Sequence, residues 1–524
     1  MKSVLTLDCT LRDGGYCNKW NFQEKNIKKI ISSIISAGVE VVECGFLSNK
    51  VQYNPDVTKY TDLVQLEDKI PLHSDNSKYV LMMNYGEYDV SILPRCENTC
   101  IDGIRVAFHK KDRYKALELC RIIKEKGYLL FIQPMVTMFY QDEEFIELIQ
   151  LSNEINPHAF YIVDSFGMMN KKVLLHYFDI AEAELSQDSY IGFHSHNNLQ
   201  SAFSNAQSLI ERDTERSMII DCSVFGMGRG AGNLNLELFL NELNLSLGKH
   251  YQIKPILQIM DEVLNRFYEE NPWGYTLPNY LSAVHMIHPN YAGYLSEKKT
   301  LAVDDIDEIF DMIDPEKGCE YDEQYISELY VQYMSTGIIR NGHLHEIKKK
   351  VMGGEVLFIA PGKSAIDEQE KILTFIKENN PIVISINHEY PVYPSDYIFI
   401  SNIRRFKKLD KELYGKTIST SNIKSSETYA SIDYFKLLNN IDDVRDNAGL
   451  MAIKFAMEDL ETKNIYLAGL DGYSHDLYAN FESNDMSLIA STDFLDRMNL
   501  GMHRILEEYK KKVQIEFITT SLLI

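Results

Sequence analysis

The 524-residue sequence predicts an α/β chain in three parts: a (β/α)8 TIM barrel over 1–290, a helical extension over 291–350 and a Rossmann-like α/β domain over 351–524. Three observations predict it. First, the N-terminal part repeats one unit: a short apolar strand, a polar turn and an amphipathic helix. Strands alternating with helical patterns imply βα units and a parallel sheet. Second, about eight such units in about 250 residues is the size of a closed (β/α)8 barrel, with a doubly wound open sheet as the competing arrangement. Third, the composition shifts at Gly353-Gly354, after which EVLFIAPGKSAIDEQEKILTFIKENNPIVISINH reads as strand, glycine-containing turn, helix and strand.

Candidate barrel strands are Val4–Leu7, Val39–Phe46, Tyr79–Asn84, Ile104–Phe108, Leu129–Pro134, Phe160–Asp164, Tyr190–His196 and Met218–Val224. Between the first two, Ile27, Ile30, Ile31, Ile34 and Ile35 recur at the spacing of one helical stripe. Asn21 with Glu24 resembles a capping box, and Gly38 suits the left-handed position after the helix. Ala116–Lys126, closed by Gly127, repeats the device. The acidic stretches DDIDEIFDMIDPEKG and DEQYISELYVQYM give the extension its helical pattern.

Composition narrows the function. A hydrophobic fraction of 45% and a charged fraction of 25% suit a globular protein with a real core. Lys+Arg 53 against Asp+Glu 76 leaves a net charge of −23, a poor surface for phosphate backbones, so nucleic acid is not an expected partner. No apolar run has the length of a signal peptide or a membrane span, and the expected location is the cytoplasm. The eight cysteines are scattered without a C-x-x-C pair and read as reduced thiols. Cys96 and Cys100 lack the nearby histidines that a structural zinc would need.

In a barrel of this kind the active site gathers at the C-terminal ends of the strands. Polar residues crowd there: Arg12-Asp13, Glu43, His109, Gln133, Asp164-Ser165, His194–His196 and Ser223. His194 and His196, two apart on a predicted strand, point to one face and can grip one metal ion. Asp13, on the Gly-relieved turn RDGG, can add a carboxylate, and Arg12 a guanidinium aimed at the same bound oxyanion. The run GMGRGAGN at 226–233 has Ala231 where a dinucleotide G-x-G-x-x-G would need its third glycine, so no nicotinamide site is expected.

Together TLRDG near the N-terminus, HSHNN at 194–198 and GMGRGAGN resemble the metal-dependent, pyruvate-handling TIM barrels. That family includes 4-hydroxy-2-oxovalerate aldolase, 3-hydroxy-3-methylglutaryl-CoA lyase, isopropylmalate synthase and homocitrate synthase. DCTLRDGG, RVAFH at 105–109 and Gly274-Tyr275 with Tyr280 lean toward the aldolase branch. The resemblance implies Asp13, His194 and His196 as ligands of a divalent cation, with Asn233 added in some branches. Mn2+ is favoured, with Mg2+, Co2+ and Zn2+ as alternatives. It implies Arg12 stabilising a pyruvate enolate, Ser165 holding the pyruvate carboxylate, and Tyr275 or Tyr280 aiding proton transfer, while Glu43 and Gln133, from their place at the strand ends, are expected to bind substrate. Where the aldolases carry a histidine shortly after the RDG motif, this chain has Tyr16. Such barrels commonly self-associate, so a homo-oligomer is expected.

In the C-terminal part, Pro361-Gly362-Lys363-Ser364 is not a phosphate loop, because Leu357 stands where the first glycine must be. IAPGKSA, SINH and LAGLDGYS together resemble the Rossmann-like domain of bacterial sialyltransferases and motility-associated glycosylation factors. That resemblance implies a nucleotide or nucleotide-sugar around Gly362, Asn387 and Asp471. The expected function is a divalent-metal aldolase joining pyruvate to, or releasing it from, an aldehyde, sugar-derived if the second resemblance holds. A Claisen-type synthase using an acyl-CoA, and a glycosyltransferase acting through the C-terminal domain, are the competing classes.

Overall fold

Buried on both faces, parallel strands become continuous apolar runs, and those runs build the first unit of the protein. The computed structural model describes residues 3–524 except 72–76, 299–300, 336, 338, 341, 352–353, 477–479 and 482–491. Gly353, at the composition change, therefore lies outside the described residues. The chain divides into two compact units, residues 1–293 with 314–321, and residues 294–313 with 322–524. The helices Pro289–Glu297, Val303–Asp311, Pro315–Gly318, Glu323–Met334 and Leu344–Val351 are thus shared between them.

The first unit is a closed parallel barrel. Its strands are β1 Val4–Asp8, β2 Val41–Leu47, β4 Lys78–Asn84, β5 Gly103–Phe108, β6 Leu129–Pro134, β7 Ala159–Asp164, β8 Tyr190–Ser195 and β9 Met218–Cys222, with β3 Lys59–Tyr60 alongside β2. Closure is direct: β1 pairs with β9 through Val4 and Met218, and with β2 through Leu7 and Val41. Leu7, Val41, Val80, Phe131, Tyr161 and Ile219, each from a different strand, gather in one buried cluster. A larger one joins the strands to their helices. The helix Glu24–Ser36 buries Ile27, Ile30, Ile31 and Ile34, as the stripe predicts. Gly38 has φ +90°, the left-handed conformation expected after the helix.

Its N-terminus corrects the sequence reading. No capping box forms at Asn21; the helix is capped at Gln23, whose side chain makes no cap hydrogen bond. Instead the Asp56 carboxylate accepts from the Glu24 N–H at 3.0 Å. A residue distant in sequence supplies the acceptor that local pattern assigned to Asn21.

The second unit carries seven parallel strands: β10 Val356–Ile359, β11 Ile382–Ile386, β12 Tyr397–Ile400, β13 Thr417–Thr420, β14 Ala430–Ile432, β15 Asn464–Ala468 and β16 Gln514–Phe517. Their order is β14-β13-β12-β11-β10-β15-β16, so the winding reverses between β10 and β15. Among the described residues no helix is long and apolar enough to cross a membrane. All eight cysteines are free, Cys96 and Cys100 included.

Candidate metal and active site

The site grows from the ends of three strands. β1 leads into Arg12-Asp13, β8 carries His194 near its end, and His196 follows one residue beyond, bridged to Asn233 of the glycine-rich loop. Asp13, His194 and His196 are all buried, and one ligand atom from each lies within 4.8 Å of the others. His194 Nε2 is 3.4 Å and His196 Nε2 3.8 Å from Asp13 Oδ2. A divalent ion binds oxygen and nitrogen donors at about 2.0–2.3 Å, which sets donors on its shell roughly 3–4.5 Å apart. The three side chains fit.

Three orphaned atoms strengthen the fit. Asn233 Oδ1 and His196 Nδ1 are buried without a hydrogen-bond partner, and so is Nη2 of Arg12. Buried polar atoms left unpaired are costly unless a ligand completes them. The glycine loop approaches closely enough to hold Asn233 in place. A Cβ on Gly228 would stand 2.3 Å from Asn233 Nδ2 and 3.1 Å from Asp13 Oδ1. One on Gly232, at φ +86°, would stand 2.0 Å from the Gly226 carbonyl oxygen.

The charges favour a cation. Burial would raise the Asp13 carboxyl, but Arg12 and the two imidazoles hold it well below the usual carboxylate range. Burial pushes His196 down to about 3, leaving it neutral and able to ligate. His194 rises despite burial, because Asp13 and Asp221 both accept from its ring. An imidazole drawing a proton between two carboxylates marks a point where positive charge is stabilised.

Behind this group runs a buried ion-pair network. His194 Nδ1 lies 2.9 Å from Asp221 Oδ2. Asp221 also accepts from Tyr161 at 3.0 Å and pairs with Arg105, which is wholly buried. Glu43 bridges Arg105 Nη1 at 2.9 Å and Arg12 Nε at 2.7 Å, and Arg12 Nη1 pairs with Asp13. Gln133, with its amide oxygen toward Arg105, accepts from Nε at 3.2 Å and Nη2 at 2.7 Å. Glu43 and Gln133, expected to bind substrate, are thus occupied by arginines.

Ser165 follows β7, and its hydroxyl accepts from the Val136 N–H at 2.9 Å. The neighbouring Asp164 turns its carboxylate to the Met168 and Met169 amides, at 2.9 and 3.1 Å. Tyr16 stacks edge-on against Trp20 at 4.7 Å, and burial raises its phenol above the ordinary value although Arg229 opposes the rise. Tyr275 and Tyr280 are 58% and 39% exposed and pack against each other, 6.4 Å between ring centroids. Neither hydroxyl hydrogen-bonds to a described residue. Sequence reasoning singled out neither Asp221 nor Arg229, and it named Arg105 only inside a motif.

In the second unit, the turn after β10 meets the turn after β15. A Cβ on Gly362 would lie 2.3 Å from the Gly469 carbonyl oxygen and 2.6 Å from the Asp471 carboxylate. Asp471 accepts from the Ser364 N–H at 2.8 Å. Asn387, at φ +55°, follows β11 and accepts from the Ser401 N–H at 3.3 Å.

Residues 3–263, just under half of the chain, match the family model described as HMGL-like. The chain is also similar to 4-hydroxy-2-oxovalerate aldolases. It is 27% identical over 241 residues to the one from Shewanella halifaxensis, covering 46% of this chain and 70% of the relative. With the one from Geobacillus genomosp. 3 the identity is 26% over 264 residues, covering 50% and 75%. Among solved structures, the N-terminal domain of a candidate aldolase from Bacteroides vulgatus aligns with a TM-score of 0.48 at 25% identity, covering 56% of this chain and 96% of that one. Hydroxymethylglutaryl-CoA lyase from Pseudomonas aeruginosa aligns with a TM-score of 0.41 at 13% identity, covering 52% and 94%.

Proposed function

We propose that the protein is a divalent-metal-dependent carbon–carbon lyase, an aldolase that cleaves or forms a 4-hydroxy-2-oxo acid with pyruvate as the three-carbon partner. One observation carries this reading: the buried Asp13–His194–His196 group with Arg12 against it, at the C-terminal rim of an HMGL-like barrel. Asp13, His194 and His196, with Asn233 through its orphaned oxygen, would hold the ion. Carboxylate, amide and imidazole donors together favour Mn2+, ahead of Mg2+, Co2+ and Zn2+. Bound there, the ion supplies Lewis-acid stabilisation of charge at the keto oxygen.

The remaining work falls to the chain. In cleavage the C4 hydroxyl passes its proton to water and becomes the aldehyde, the C3–C4 bond breaks, and its electron pair stays on C3 as an enolate. A proton then returns to C3 to give pyruvate. Arg12 donates from its unpaired Nη2 toward the oxygen that gains charge, a guanidinium preorganised by Glu43 and out of water. Ser165 orients the substrate carboxylate. Tyr16, its phenol held high, is a neutral hydrogen-bond donor at physiological pH rather than a base. The free thiols suit a reducing, cytoplasmic setting.

Metal-loaded protein incubated with 4-hydroxy-2-oxo acids, pyruvate being coupled to lactate dehydrogenase, tests the reading. Release of pyruvate that falls at least 1,000-fold in Asp13→Ala and His194→Ala is the expected outcome. Release of none across a broad panel, together with no exchange of pyruvate methyl protons in D2O, refutes it.

A second reading concerns the other unit. Open parallel sheets bind ligands outside the strand ends where the winding reverses, here between β10 and β15. Gly362 and Asp471 lie at that point, and we infer a nucleotide or nucleotide-sugar there, with Asn387 beside it. A sugar-derived aldehyde destined for cell-surface glycans would connect the two. Calorimetry of the full chain with cytidine monophosphate checks this: heat that disappears in Asp471→Ala supports it, and no heat in the native protein removes it.

A further inference from the structure

Arg229 is a half-buried cation to which the described residues supply no counter-charge. Its backbone is fixed on the glycine-rich loop, the N–H reaching Asp13 Oδ1 at 3.3 Å and the carbonyl accepting from Gly232 N–H at 3.1 Å. Nη2 donates to the Ser165 carbonyl at 2.9 Å, Nη1 meets His288 Nε2 at 3.2 Å, and Nε is buried with no partner. The guanidinium carbon lies 5.5 Å from the centroid of the Tyr16 ring. None of these side-chain contacts is a carboxylate. Glu320, brought to the same rim by the bond from His288 N–H to the Gly318 carbonyl, is engaged by Lys111 at 2.7 Å and faces His109 at 3.5 Å.

The hydrogen bonds around His288 are also out of balance. Nε2 faces Arg229 Nη1, and Nδ1 faces the Asn290 N–H at 3.2 Å. A neutral imidazole offers one acceptor nitrogen, so one of these donors meets another donor. Together with the bare Nε of Arg229, the recess holds more N–H groups than acceptors. An anion would correct both deficits.

Charge accounting indicates where that anion comes from. In the ion-paired network, Arg12 and Arg105 oppose Asp13, Glu43 and Asp221, leaving one negative charge. A divalent ion reverses that to one positive charge, and the carboxylate of pyruvate cancels it. Arg229 then remains, a cation in excess at the edge of the pyruvate space, beside Ser165.

We infer that Arg229, with His288 and Tyr16 as walls, receives an anionic group, a carboxylate or phosphate, on the aldehyde partner, so that the preferred acceptor is a charged aldehyde. This rests on the aldolase reading. Arg229 is thereby the specificity-determining residue of the acceptor half of the site. A planar guanidinium suits either anion bidentately.

The test compares acceptors of equal length with and without charge: succinate semialdehyde against butanal, and glyceraldehyde 3-phosphate against glyceraldehyde, each condensed with pyruvate. In the native protein kcat/KM should favour at least one charged member by tenfold or more, and which one separates carboxylate from phosphate. Arg229→Met should bring that ratio within threefold, through a higher KM for the charged acceptor, and Arg229→Lys should recover part of it. No preference in the native protein, or an equal loss with charged and neutral acceptors, overturns the inference. Exchange of pyruvate methyl protons by the native protein without acceptor reports on the aldolase reading separately. If that exchange and all condensation are absent, calorimetry with succinate and with glycerol 3-phosphate decides the recess alone. Tenfold weaker binding in Arg229→Met sustains it, and equal binding overturns it.

Discussion

Asp221 shows how a single residue beneath the Asp13–His194–His196 group orients a side chain above it. Its Oδ2 faces His194 Nδ1, which commits that nitrogen and leaves Nε2 toward Asp13. Carboxylates in this position orient a ligating imidazole and typically alter metal affinity 10–100-fold. Asp221→Asn should therefore weaken Mn2+ binding by that factor, measured by titration of the free-ion electron paramagnetic resonance signal, with the far-ultraviolet circular dichroism unchanged. Unaltered affinity would show that His194 is oriented by its neighbours alone. The grouping of Asp13, His194 and His196 was legible in the sequence, because H-x-H and R-D-G-G are local patterns. Asp221 was not, since its partners His194, Tyr161 and Arg105 come from three other strands. A signal existed nonetheless: Glu43, Arg105 and Asp221 are charges inside otherwise apolar buried strands, and isolated charges in such runs must pair with one another. Arg229 stayed hidden for another reason. The sequence shows it on a glycine-rich loop, but the direction of a loop side chain depends on a path that only the folded chain defines.

The barrel strands also hold a histidine whose proton affinity burial lowers, at the end away from the site. His158 precedes β7 at the base of the barrel, its ring between Phe131 of β6 and Tyr190 of β8 at 5.1 Å from each. Burial, then the positive charges of Lys124 and Lys78, pushes its pKa down to about 4. The folded value lies below the ordinary 6.5, so the folded barrel binds the proton less well than the unfolded chain. Stability from this group is complete above pH 6.5 and is lost as pH falls through 4, about 3 kcal/mol at most. His158→Phe keeps the stacking and removes the proton. Its denaturation midpoint in guanidinium should fall less than that of the native protein between pH 7 and pH 4. Parallel falls in the two proteins would place the titration elsewhere. At this scale the sequence was legible where apolar periodicity decides, as in the helix Glu24–Ser36, and illegible where a distant side chain competes, as Asp56 does for that helix's first N–H.

At the scale of the whole molecule, the eight βα units and the composition change were legible because closure and winding follow from repeated local pattern. The return of residues 314–321 to the barrel unit was not, since one helical stretch of uniform composition is divided between two compact units. The distribution of tryptophan turns that division into a measurement. The chain has two tryptophans, Trp20 and Trp273, and both belong to the barrel unit. Trp20 donates from Nε1 to the Arg12 carbonyl at 2.7 Å, and Trp273 donates to the Phe225 carbonyl at 2.9 Å, so each touches a segment that frames the metal group. Tryptophan fluorescence in the full chain therefore follows the barrel alone, whereas far-ultraviolet circular dichroism follows both units. An ion that binds only the folded barrel stabilises it by about 2.7 kcal/mol at 100 times its dissociation constant, which for a unit of this size is roughly 3–6 °C. Mn2+ should raise the fluorescence-detected midpoint by that amount. In His194→Ala the increase should vanish. An unshifted midpoint in the native protein at millimolar Mn2+ would mean that the Asp13–His194–His196 group does not hold the ion in the folded barrel.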